Sequence, residues 1–268
     1  MQSRSPLVIT VTSGKGGVGK TNMAVNLATV LARSGRVILL DADLGLANVD
    51  VLLGVTPPRD IMALFEGVAL PDILFPTRYG FSILPAASGE VMLDLETGQK
   101  LELLEAMDAF AEDIDYLLVD TGAGINDTVL YFAMAAQERL IVLTPEPTSL
   151  TDAYALVKVL KLRHGVEHFR VCVNQVRDRA AALELFSRLC DACDQFLSGV
   201  SLDLAGVIPA DPSLRAAVMR QAPVTALTPD APAARAIARM AAAVPAWGDR
   251  GGDGNIKFFW KSFLFRQA

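Results

Sequence analysis

Short apolar runs alternate with stretches of helical periodicity along almost the whole chain. The runs at 7–12, 36–41, 81–84, 116–120, 139–144, 169–174 and 204–208 predict strands. Between them, apolar residues recur at helical spacing near 20–34, 98–112, 126–136, 149–162, 178–198 and 230–244, which predicts helices. Several strand runs, such as Val37-Ile38-Leu39-Leu40, are unbroken in apolar residues instead of alternating. Strands read that way when both faces of their sheet are covered. The rhythm therefore specifies an α/β fold: a doubly wound, mostly parallel sheet with helices on both faces. No internal repeat is visible.

Composition adds limits. The 268 residues fit one large domain with a short appendage, and 52% hydrophobic content is enough for a substantial core. No apolar run is long enough to span a bilayer, and the start lacks the charged and apolar regions of a signal peptide. A net charge of −6 argues against clustered phosphate-backbone contacts, so direct DNA binding is not expected. Three cysteines cannot build a disulfide framework, which points to a reduced, cytosolic protein. Residues 1–247 are read as the domain. Residues 248–255 (GDRGGDGN) read as a flexible linker, and 256–268 (IKFFWKSFLFRQA) as an aromatic tail holding four of the twelve phenylalanines.

The candidate chemistry begins at Gly14-Lys15-Gly16-Gly17-Val18-Gly19-Lys20-Thr21, which satisfies G-x-x-x-x-G-K-[ST] between a predicted strand and a predicted helix. Its glycines let backbone N–H groups turn towards phosphates at a helix N-terminus, whose dipole favours anions. Lys20 is expected on the β- and γ-phosphates and the Thr21 hydroxyl on Mg²⁺. Asp41-Ala42-Asp43 and Asp120 end the second and fourth predicted strands, where open α/β sheets place ligands.

Lys15 departs from an ordinary loop of this type. With it, the octet resembles the MinD/ParA family of deviant Walker ATPases, which bind ATP and Mg²⁺. The resemblance implies that Lys15 crosses a homodimer interface to the partner's nucleotide, so that ATP joins two subunits and hydrolysis releases them. It implies that Asp43 orients the attacking water and helps hold Mg²⁺, while Asp41 supports the loop. Asp120, followed by Thr121-Gly122-Ala123-Gly124, takes the Walker B role, reaching Mg²⁺ through water. The positions matching catalytic ones are thus Lys15, Lys20, Asp43 and Asp120. No separate strong base is apparent, so turnover is expected to be slow. Asn174 matches the family's adenine-reading asparagine, although an asparagine at a strand end is equally a turn former. Pro209-Ala210-Asp211 resembles the loop that packs against the base.

Several segments are similar to one branch of that family, the flagellar regulators FlhG or FleN. They are Gly19-Lys20-Thr21-Asn22, residues 41–54 (DADLGLANVDVLLG), Pro85-Ala86-Ala87-Ser88-Gly89 and residues 146–158 (EPTSLTDAYALVK). Asn22 joins the nucleotide-binding set on this match. The branch implies control of flagellar number or placement through an FlhF-type GTPase, a master transcription activator or a switch-complex protein. Some members activate FlhF through an N-terminal extension; here six residues precede the first predicted strand, so that route is not expected. A division-site or cargo positioner of the MinD or ParA kind is the alternative on the same fold.

As a helix, the tail places Ile256, Phe259, Trp260, Phe263 and Leu264 on one face, bordered by Lys257, Lys261 and Arg266. Such faces suit an anionic membrane surface, and members of the family carry C-terminal membrane-targeting helices, so reversible association with the inner face of the cell membrane is expected. A helix docked on the domain itself is the other reading. Cys190 and Cys193 share one face of a predicted helix and read as small buried hydrophobes; an ATP-dependent iron–sulfur carrier would need them as ligands. His164 and His168 are read as loop residues.

Overall fold

The computed structural model describes residues 6–43, 48–85, 97–111 and 113–250. One sheet holds β1 (Leu7–Ser13), β2 (Val37–Ala42), β3 (Phe75–Pro76), β4 (Ser82–Pro85), β5 (Tyr116–Ala123), β6 (Glu138–Leu143), β7 (His168–Val176) and β8 (Ser201–Pro209). Their order is β3-β4-β2-β5-β1-β6-β7-β8. Every pairing is parallel except β3 with β4. The helices are α1 (Lys20–Leu31), α2 (Val49–Leu53), α3 (Leu70–Ile73), α4 (Thr97–Ala111), α5 (Asp127–Ala135), α6 (Pro147–His164), α7 (Arg179–Phe196), α8 (Pro212–Met219), α9 (Val224–Leu227) and α10 (Pro232–Ala243). All seven expected strands form. The two-residue β3 and the short helices α2, α3, α8 and α9 are additions that periodicity over so few residues cannot reveal.

The unbroken apolar runs have the cause inferred for them. Along β1, Ile9 and Val11 pack with α1 and α10, whereas Val8 turns to the opposite layer with Phe132 of α5 and Met107 of α4. In β6, Leu140 and Val142 take the first side, and Ile141 and Leu143 meet α6 and α7 on the second. Successive side chains of a strand point to opposite faces, so both faces must be supplied with apolar groups. β1 therefore sits mid-sheet, between β5 and β6. The chain after β1 winds towards β2 on one side, and the later units wind towards β8 on the other. The C-terminal end of β1 is thus a topological switch point, where such sheets leave a crevice.

Two buried ionic devices hold the frame. The Arg139 guanidinium donates to the carbonyls of Ala133, Met134, Ala136 and Gln137, capping the C-terminal end of α5 with a cation. Its burial lowers its pKa to about 10. At the N-terminal ends of β6, β7 and β8, Arg170 grips Glu138 through two bonds of 2.7 and 3.2 Å and lies 3.4 Å from Asp203. The Arg170 guanidinium also stacks 4.5 Å from the Trp247 ring, and so fixes the last described turn, Val244–Arg250, beside the start of β1. His168 belongs to this cluster, with Nε2 3.0 Å from Asp203. It opens β7, so the expectation of a loop histidine is corrected: the preceding helix ends early enough for His168 to pair with β8.

Residues 251–255 of the expected linker and the whole tail, including Ile256, Phe259, Trp260, Phe263 and Leu264, lie outside the described residues. So do 44–47 of the segment 41–54 and 86–89 of the Pro85 segment. No helix among the described residues is long and apolar enough to cross a membrane.

Candidate functional site

At the switch point, β1 ends in the glycine-rich loop and α1 begins at Lys20. The loop is seated by close backbone approaches that only glycine permits. A Cβ at Gly14 would overlap the Asp152 carbonyl in α6, and one at Gly19 would lie 2.7 Å from Asn174 Nδ2. Gly19 also has φ 94°, in the left-handed region that side chains disfavour. Asn174, buried at the end of β7, donates from Nδ2 to the Val18 carbonyl at 2.8 Å, while its Oδ1 accepts from the Gln175 backbone. In the single chain Asn174 therefore braces the phosphate loop from below. Beside it, Pro209 pairs with Val176 and the Ala210 N–H donates to the Val176 carbonyl. Asp211 caps α8 through the Ser213 N–H and ties down the start of α10 through the Ala233 N–H.

Above the loop opens a cavity of about 640 Å³, a volume suited to a nucleotide. Gly16, Gly17, Gly19, Lys20, Thr21, Asn22 and Asp43 line it, whereas Asp120, Asn174 and Pro209-Ala210-Asp211 are not part of its lining. Its far wall holds Asn48 and Val51 after β2, Met219 at the end of α8 and Gln221 beyond it. Gln221 reaches this wall by donating to the Val51 carbonyl at 2.9 Å. A segment about 170 residues away along the chain carries no local sign of that approach. Asn48 had a local sign, its place seven residues after Asp41 in the acidic motif, and it bridges the two aspartates. Its N–H donates to Asp41 and its amide to Asp43, at 2.9 and 3.3 Å. Asp41 also accepts from the N–H groups of Val49 and Asp43, which gives it the loop-supporting position expected of it. Burial raises its pKa to about 6, against the pull of those bonds.

Asp120 is fully buried, and neither of its carboxylate oxygens has a hydrogen-bond partner among the described residues. Burial pushes its pKa up to about 8; the nearby Thr21 hydroxyl and Lys20 ammonium oppose that shift, and Asp41 and Asp43 add to it. Lys20 is itself buried, and desolvation lowers its pKa against the attraction of Asp120 and Asp43. A buried carboxylate with empty acceptor sites, a hydroxyl at Thr21 and a second carboxylate at Asp43 form a set of hard oxygen donors around one lysine, and such a set suits Mg²⁺ beside a phosphate chain.

Lys15 lies apart. It is not among the residues lining the cavity; its ammonium pairs with Glu146 and donates to Thr148 Oγ1 at 2.9 Å, at the start of α6. The segment that marked the flagellar branch is thus the one that holds this lysine. Cys190 and Cys193 sit on α7 away from the cavity, and burial raises both thiols, that of Cys193 to about 11. No group of three metal-ligating side chains occurs among the described residues.

The family model described as ParA, an iron-transfer P-loop NTPase, matches residues 5–245. The antiactivator FleN of Pseudomonas aeruginosa is 48% identical over 92% of this chain and 89% of its own length. The chain belongs to the MinD/ParA family of P-loop ATPases. The flagellum site-determining protein YlxH of Helicobacter pylori is 36% identical over 75% of this chain and 68% of its own. Among solved structures, the septum site-determining protein MinD of Pyrococcus horikoshii, complexed with Mg-ADP, superposes with a TM-score of 0.70 at 25% identity, covering 92% of this chain and 99% of that one. The chain is accordingly a nucleotide-binding ATPase of MinD-like fold.

The buried Asp120 has a measurable consequence. Its folded-state pKa lies above its ordinary 3.8, so the folded protein holds a proton that the unfolded chain releases, and stability is lost as pH rises towards about 8. Without nucleotide or divalent cation, the melting temperature should fall from about pH 6 to about pH 8. Asp120→Asn should raise the value at the upper pH and flatten the slope, as read by differential scanning fluorimetry. An identical slope in the variant would remove Asp120 as its source.

Proposed function

We propose that this ATPase is a dimerising switch that sets the number or placement of flagella. The observation that carries the reading is the 48% identity with antiactivator FleN across 92% of the chain. The similarity to YlxH, whose name also refers to flagella, points the same way. The shared fold alone would equally serve a division-site positioner. The iron-transfer description of the family model would require Cys190 and Cys193 as thiolates, which burial disfavours at both.

In this reading, backbone N–H groups from Gly14 to Gly19 cradle the phosphates of ATP, and Lys20 meets the β- and γ-phosphates. Thr21, Asp43 and Asp120 would hold Mg²⁺, which would neutralise charge developing on the phosphates. Asp43 orients a water whose oxygen attacks the γ-phosphorus as the bond to the β–γ bridging oxygen breaks. Positioning and electrostatics carry this chemistry, which suits a slow timer. Asn174 and the segment Pro209-Ala210-Asp211 would meet the base, as the family resemblance implies. Lys15 serves the partner's nucleotide, exchanging Glu146 and Thr148 for phosphate oxygens when two chains meet.

The exposed Val51 and Met219 at the cavity mouth, 62% and 78% accessible, favour such a meeting, because a second copy would cover them. The tail, with Ile256, Phe259, Trp260, Phe263 and Leu264, would then hold the dimer at the cytoplasmic face of the membrane. One weak anchor becomes two on dimerisation, so avidity ties residence there to ATP. An FlhF-type GTPase, a transcription activator or a switch-complex protein is the expected downstream partner.

Deleting the gene should raise the number of flagella per cell or displace them, counted by electron microscopy; unchanged number and position would exclude the flagellar reading. With ATP and Mg²⁺, Asp43→Ala should run as a stable dimer on size exclusion, and adding Lys15→Ala should return it to monomer. A monomer in both cases refutes the two-copy site. The ATP-bound protein should sediment with anionic vesicles and the ADP-bound protein should not. Equal sedimentation after removal of 256–268 would end the role given to the tail.

A further inference from the structure

β8 closes one side of the sheet. Among the described residues it pairs with β7 alone, so the backbone groups along its other side meet no strand. Such an edge is a template for another extended chain, and proteins usually blunt it with lysine, proline, an inward charge or a cover. Here the blunting sits at the two ends and at a bulge at Ala205. Asp203 turns inward to His168 and Arg170 near the start, and Pro209 ends the strand. Between them, Leu204, Ala205, Gly206 and Val207 are uncharged and only half-buried.

A groove of about 210 Å³ runs along that stretch, bordered by Arg239 and Met240 of α10 and by Arg179 at the start of α7. The two helices cover opposite faces of the sheet, so the two guanidiniums flank the edge from both sides. Both arginines are exposed, and neither has an ion-pair partner among the described residues. In a chain of net charge −6 this is a cationic slot around an open strand. Charge decides between the occupants. The chain's own residues 256–268 hold Lys257, Lys261 and Arg266 and no acid, so they would bring like charge to the slot. Two β8 edges meeting in a pair of copies would set the same arginines against each other.

We propose that the β8 edge docks a partner protein through an acidic, extended segment, which adds to the sheet as a further strand. Its backbone pairs with Leu204–Val207, and its carboxylates meet Arg179 and Arg239. Main-chain bonds supply the affinity in this mode and side chains the selectivity. The register of β8 shifts between Leu204 and Gly206, inside this stretch, so the bulge at Ala205 fixes the position of a short guest. β6 and β7 separate this edge from β1, so the guest and ATP do not compete.

The probe is a fluorescein-labelled octapeptide of alternating glutamate and valine with blocked ends, titrated into the full chain at low salt. Fluorescence anisotropy should rise, and amide exchange over 204–207 should slow on binding. Affinity should fall about tenfold or more in the double variant Arg179→Glu, Arg239→Glu, with ATPase activity retained as a check on folding. The same peptide N-methylated at alternate residues should not bind, because it cannot pair its backbone. Several results would overturn the proposal: no binding at about millimolar protein, equal binding of a lysine–valine peptide, equal binding of the methylated peptide, or protection elsewhere in the chain. If removing 251–268 by itself exposes the 204–207 amides to exchange, the tail is the occupant and the proposal fails.

Discussion

An ionisable carboxylate fully buried beside Lys20 and Thr21 is the constraint around which the site is organised. Burying Asp120 costs free energy that the single chain offsets only in part, through Lys20 and Thr21. Either a proton or a cation must complete the balance. Lys20 is under the converse pressure, since it is buried and attracted by two carboxylates. Each group is out of place without the other, and both are out of place without an anion and a metal. A site in that condition favours its ligand before any specific contact with the base is made, because ligand charge relieves a tension already built into the fold.

The sheet makes this burial possible. β1 and β5 are neighbours with both faces covered, so Asp120 within β5 is cut off from water. The loop above is held to the same frame by Asn174 from β7 and by the α6 backbone against Gly14. Helix, loop and strand ends are therefore set by packing before a nucleotide arrives, and the phosphate cradle does not have to be formed on binding.

The parts of this arrangement legible in sequence are those with local signals. The P-loop octet, Asp41, Asp43 and Asp120 could be placed because each ends or follows an apolar run, and strand ends on one side of a parallel sheet lie together. Asn48, Val51, Met219 and Gln221 could not be placed in full, because the cavity wall they make depends on α8 approaching α2 across the sheet. The present partners of Lys15 were also hidden. The octet identifies the lysine, but only the packing of α6 brings Glu146 and Thr148 to it. His168 was misjudged for a related reason. A histidine next to a glycine turn looks like a loop residue until β8 supplies Asp203 as its neighbour.

The stacking of Arg170 on Trp247 has a mechanical consequence. It pins the chain's exit at the starting ends of the strands, whereas the phosphate loop lies at their finishing ends. The seven residues of β1 put roughly 20 Å between the two poles. The turn Val244–Arg250 thus stands at one end of a rigid rod whose other end is the phosphate loop. A change at the nucleotide can reach it only by tilting the domain as a body, or by bringing a second body alongside.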